Sequence, residues 1–138
     1  MSFDIFVDAF RDEEKFWFPT KELLRRFDGF TTDEAKDEFR FQVGGDRTLC
    51  KVWYEDKNGM VDGFAISRPT GHPELWAIIA GFLRDLPCVL YWPSTTHRAA
   101  MGSLDLLPHL PASFIEACGI PFVSTDSEAI RKFVGENS

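Results

Sequence analysis

Between residues 60 and 93 the spacing of apolar positions changes twice. The run Met60-Val61-Asp62-Gly63-Phe64-Ala65-Ile66-Ser67 is strand-like and stops at Arg68-Pro69-Thr70-Gly71-His72. From Pro73, Leu75, Ile78, Ile79, Phe82 and Leu86 recur at helical spacing, and Trp76, Ala80 and Leu83 widen the stripe until little polar face remains. Cys88-Val89-Leu90-Tyr91-Trp92 is then apolar without alternation, as in a strand covered on both faces. Strand, helix and strand in that order require a crossover that brings the two strands parallel, so the stretch predicts a βαβ unit. Pro73 suits a first helical position and Glu74 faces the positive end of the helix dipole. Gly81, costly inside a helix, predicts a close neighbour.

The other elements follow from the same patterns. Residues 3–10 read as a strand, with Phe3, Ile5, Val7 and Ala9 on one face and Asp4, Phe6, Asp8 and Phe10 on the other. Asp4 and Asp8 read as a solvated face rather than as metal ligands. Phe16-Trp17-Phe18 packs under the next helix or forms an exposed contact patch. That helix runs from residue 19 or 20 to 27, buries Leu23, Leu24 and Phe27, keeps Lys21, Arg25 and Arg26 wet, and ends at Gly29. Residues 31–38 are polar and acidic, a loop or frayed turn.

Phe39-Arg40-Phe41-Gln42-Val43 alternates, Gly44-Gly45-Asp46 signals a hairpin, and residues 48–54 form the next strand. Asn58-Gly59 marks a second hairpin, so three strands make a meander, and Gly63 predicts a bulge or a tight backbone contact. Beyond Pro93, residues 94–97 read as a turn, 98–101 as a short edge strand, and 104–110 as one helical turn. Pro111 opens a helix that ends at Gly119, and residues 121–124 form a brief strand. Thr125 and Glu128 form a capping box for a final helix that buries Ile130, Phe133 and Val134.

These elements define an α+β fold: a single domain over residues 1–138 with a mixed, mostly antiparallel sheet, a β-meander, one βαβ crossover and helices packed on the sheet. The chain carries net charge −7, with acidic clusters at Asp12-Glu13-Glu14, Asp33-Glu34, Asp37-Glu38 and Glu55-Asp56. Such a surface repels phosphate backbones and anionic lipid, which argues against nucleic acid and membrane partners and permits a basic protein; solubility alone also accounts for it. No apolar run is long enough for a membrane span and the N-terminus lacks a secretory pattern, so a cytoplasmic protein is expected. Cys50, Cys88 and Cys118, odd in number and set in apolar sequence, read as reduced core residues.

Chemical motifs are sparse. His72-Pro73-Glu74 with Pro87-Cys88 resembles half of the zinc deaminase signature, but Tyr91 stands where the second cysteine is needed, and His72-Pro73-Glu74 is already explained as a helix start. His72, His97 and His109 fall in separate loops, and no nucleophile elbow or phosphate-binding loop is present. No catalytic residue, cofactor or metal ligand is therefore assigned. The compositional oddity is aromatic density. Most rings are core material; Trp53, Tyr54 and Trp92, with Arg68 and the acidic Glu55 and Asp56, are the candidates for a protein interface. The competing site, for a small molecule or a reaction, lies around Arg68, His72 and Tyr91, where the crossover strands end.

The opening Met1-Ser2-Phe3-Asp4-Ile5-Phe6 with Phe10, together with Asp62-Gly63-Phe64, Arg68-Pro69, Leu75-Trp76 and Val89-Leu90-Tyr91-Trp92-Pro93, resembles a family of short uncharacterised bacterial proteins. The resemblance implies a fold and no reaction. In size and charge the chain is also similar to bacterial toxin-immunity proteins, which implies a non-enzymatic inhibitor that covers a basic, toxin-like protein. A structural or assembly subunit is the remaining alternative, and oligomeric state is left open.

Overall fold

The computed structural model describes residues 3–45, 50–95 and 98–138. Alternation along the first strand, β1 (Ile5–Arg11), sets the two faces of the sheet: Ile5, Val7 and Ala9 are fully buried on the inner face. The chain continues through β2 (Glu14–Lys15), β3 (Phe18–Pro19), α1 (Thr20–Arg26), β4 (Thr31–Ala35), β5 (Glu38–Phe41), β6 (Cys50–Trp53), β7 (Met60–Val61) and β8 (Gly63–Ser67). Then come α2 (Pro73–Asp85), β9 (Cys88–Tyr91), β10 (Ala99–Met101), a 3₁₀ helix (Leu104–His109), α3 (Ala112–Cys118), β11 (Phe122–Val123) and α4 (Ser127–Glu136). Asp46, Arg47, Thr48 and Leu49, on the expected first hairpin, and Thr96 and His97, in the expected turn, lie outside the described residues.

One sheet holds the order β11-β10-β9-β1-β8-β6-β5-β4, with β2 hairpinned onto β1. Its ladders are antiparallel except for β10 with β11. The crossover joins β8 to β9, which run parallel to each other with β1 inserted antiparallel between them. The meander is β5-β6-β8. Its second hairpin turns at Asn58 and Gly59, both with positive φ (54° and 81°), and Lys57 and Met60 exchange backbone hydrogen bonds across it. Two residues later the chain kinks. Met60–Val61 pairs with Phe18–Pro19, and only from Gly63 does the strand join the main sheet.

Helix α2 lies on the inner face because Leu75, Trp76, Ile79, Phe82 and Leu83 leave it no wet side there. They pack with Phe27, Phe39, Phe41, Val52, Phe64, Ile66, Leu90 and Trp92 into the main core. Pro73 opens the helix, and His72 caps it by accepting the Glu74 amide at Nδ1 (3.1 Å). Gly81 faces Arg26, whose Nη1 would stand 3.4 Å from a side-chain carbon there. Among the described residues no helix is long and apolar enough to cross a membrane.

Five expectations are corrected. Residues 31–35 form the outermost strand, because pairing with β5 satisfies their backbone despite their polar composition. Leu24 is 38 % exposed, whereas Arg26 is largely covered: it bonds Glu22 (2.8 Å) and Asp85 (3.1 Å) and lies over the Phe82 ring. Residues 99–101 are not an edge strand, since β11 covers them. The last helix is capped by Asp126, which accepts the Ala129 amide (2.8 Å), one residue later than the predicted threonine. Cys118 is only partly buried, while Cys50 and Cys88 belong to the core.

Candidate functional site

The outer face of the sheet is covered over one half only. Leu106, Leu110, Phe114 and Ile115, from the 3₁₀ helix and α3, pack on Val89, Ala99 and Met101 and form a second apolar cluster. Past β1, over β8, β6, β5 and β4, no helix among the described residues closes that face. Strand register then fixes which side chains stand beside one another there. One row runs Glu38, Trp53, Ala65, Phe6, Tyr91 and Ala99 across six strands. The next row runs Thr32, Arg40, Lys51 and Ser67.

Two depressions mark this half. A broad one of about 520 Å³ is lined by Asp37, Glu38, Arg40, Lys51, Trp53, Tyr54 and Ser67. A second of about 250 Å³ lies between Phe6, Asp8, Trp53, Tyr54, Glu55, Gly63 and Ala65. Arg40 and Lys51, two cations directly opposite on β5 and β6, repel each other. Lys51 is drawn to Glu38 (3.9 Å) and stands 5.8 Å from the centre of the Trp53 ring. Tyr54 continues past the end of β6, its amide donating to the Asp37 carbonyl (3.1 Å) and its ring meeting Phe39. Burial first, and then the charges of Asp37, Asp56 and Glu34, raise the pKa of its hydroxyl.

Asp8 is a half-buried polar centre of this region. Tyr91 donates to its Oδ2 (2.7 Å), and the Tyr91 ring stacks on Phe6 and meets Phe114 edge-on. Burial raises the Asp8 pKa, the Tyr91 hydrogen bond opposes the rise, nearby Asp62 adds to it, and Lys15 opposes it. Lys15 itself pairs with Asp62 at 3.0 Å. The expectation of a solvated Asp8 is corrected in part: Tyr91, from the neighbouring β9, takes one of its carboxylate oxygens, and the residue is half-buried.

The interface candidates separate. Trp53 and Tyr54 are half-buried on the open half and line both depressions. Trp92 does not join them. It is 2 % exposed on the inner face, with its indole donating to the Asn137 carbonyl (3.1 Å) and Phe133 packed edge-on, so it is core and not an anchor. Glu55 is exposed and pairs with Lys57 (3.6 Å). Asp56 is exposed but structurally engaged, accepting from the Thr20 hydroxyl and the Gly59 amide. Arg68 is exposed at the bend beyond β8, with φ +44°, and lines neither depression.

Arg68, His72 and Tyr91 do not form a common site. His72 caps α2 on the inner side, whereas Tyr91 faces outward to Asp8. The half-signature with Cys88 is likewise structural, since Cys88 is fully buried and its thiol pKa is pushed up to about 12.

Sequence reasoning missed Phe6, Asp8, Asp37 and Ala65. Alternation along β1 did put Phe6 and Asp8 on one face, and Gly63 did announce a tight contact, but neither signal names the neighbouring strand. No family model matches the chain, and neither curated proteins nor solved structures gave a match.

Proposed function

We propose that this is a non-enzymatic protein that binds and inhibits a basic protein partner, in the manner of toxin-immunity proteins, through the open half of its sheet. The observation that carries the reading is the pair Trp53 and Tyr54, half-buried on the uncovered face and lining both depressions, with Asp37, Glu38 and Glu55 among the other lining residues. Aromatic side chains supply contact area at little entropic cost, and an acidic rim steers a cationic partner and selects against anionic ones. The net charge of −7 favours the same partner at long range.

The test is to recover the partner from the native host with the intact chain and to measure affinity in rising salt. The pair Glu34→Gln with Asp37→Asn, and Tyr54→Ala, serve as comparisons. The reading requires a basic partner whose affinity falls with salt and drops at least about tenfold, some 1.4 kcal/mol, in each variant. An acidic partner, undiminished binding by the variants, or a homodimer that buries Trp53 overturns it.

A further inference from the structure

Ala65 is paired with Phe6 on one side and Trp53 on the other, so two aromatic rings flank a methyl group across three strands. Two positions earlier on β8, Gly63 continues the same small floor opposite Asp8. With neighbouring strands about 4.8 Å apart, Phe6 and Trp53 rise from backbones about 9.6 Å apart. A planar group in contact with a ring on each side needs roughly 7–8 Å between the rings, at about 3.5–4 Å per contact. The depression there, about 250 Å³, also takes in Asp8 beside Phe6, and Tyr54 and Glu55 beside Trp53. Aromatic walls with carboxylates beside them suit a cation, and a flat one best.

We propose that this slot receives an arginine side chain, its guanidinium between Phe6 and Trp53 and its charge met by Asp8 and Glu55. The inference rests on the partner reading above for the source of that arginine. The groups facing Asp8 agree with the assignment. Tyr91 holds Oδ2 from β9, Lys15 from β2 is paired with Asp62, and Gly63 leaves room for the carboxylate because a Cβ there would lie 2.4 Å from Oδ1. Trp53 already has the ammonium of Lys51 5.8 Å from its ring centre, and that lysine also stands 3.9 Å from Glu38.

The probe is N-acetyl-arginine amide, titrated into the intact protein and followed by the Trp53 indole and the Gly63 and Ala65 amide resonances. N-acetyl-citrulline amide, its neutral isostere, is the control. The slot predicts saturable shifts at these three positions with arginine and none with citrulline, and at least about tenfold weaker binding in Asp8→Asn, which keeps an acceptor for Tyr91. Trp53→Leu, at a half-buried position, is expected to lose binding by a similar factor. Equal responses to arginine and citrulline, no response to either, or unchanged affinity in both variants overturns the proposal. If the arginine probe fails while a basic partner still binds through Glu34 and Asp37, the slot is wrong and the partner reading stands. If the probe binds and no basic partner exists, the slot stands and the partner reading falls.

Discussion

Gly63 lies directly opposite Asp8 in the β1–β8 ladder, and a side-chain carbon at position 63 would sit 2.4 Å from both Asp8 Oδ1 and the Val7 carbonyl oxygen. The carboxylate could rotate, but the carbonyl belongs to the strand and could move only by bending β1. Gly63→Ala is therefore expected to destabilise the fold by roughly 1–3 kcal/mol, seen as a lower urea midpoint at unchanged slope. A midpoint equal to that of the wild type would show that β1 and β8 are farther apart than described.

Tryptophans 53 and 92 should behave oppositely. Trp92→Ala empties a sealed position between β9 and α4 and should cost about 3–5 kcal/mol in chemical denaturation. Trp53→Ala, on the open half, should cost about 1 kcal/mol while removing partner and arginine binding. Equal losses of stability would mean that something covers Trp53.

The Asp8–Tyr91 pair carries a pH signature. Because burial holds the Asp8 pKa above its ordinary value, the folded chain binds that proton more tightly than the unfolded one. Its contribution to stability is thus greatest below the ordinary carboxylate pKa and declines as pH rises through the folded value. Asp8→Asn should remove this slope, so that its stability relative to the wild type improves as pH rises across that interval. Tyr91→Phe removes the hydroxyl that opposes the rise, and should push the Asp8 pKa higher still while costing about 1–2 kcal/mol. Carboxyl carbon resonances followed against pH, with urea melts at the same pH values, test both signs.

Arg26 and Arg25 are adjacent on α1 yet differ in burial. Arg26 bridges Glu22 and Asp85 and lies over Phe82, so Arg26→Ala should cost about 1–2 kcal/mol. Arg25→Ala removes an exposed pair with Glu22 and should leave the urea midpoint close to that of the wild type. Hydrogen bonds from Arg84 and Arg26 hold the Asp85 pKa down to about 2. Its contribution is present above the ordinary carboxylate pKa and is lost as pH falls toward 2, so Asp85→Asn should show a shallower acid limb in stability against pH.

Local chemistry determined most of the elements, though not β4, whose polar sequence becomes a strand only by pairing with β5. Proline at the start of α2, the paired Asn58-Gly59 turn, and the strict alternation of Ile5, Val7 and Ala9 act within a few residues, and each is legible without knowing its neighbours. The single α+β domain, the meander and the crossover follow from them. What only the tertiary structure decided is adjacency. β1 inserts between β8 and β9, and that one placement brings Asp8 to Tyr91 and Gly63, and Phe6 to Ala65. It also decides that Trp92 is sealed while Trp53, equally aromatic and equally close to a strand end, stays open. The physical reason is that strand pairing joins residues far apart in the chain through backbone hydrogen bonds common to all of them, so the side chains that become neighbours leave no mark in the sequence.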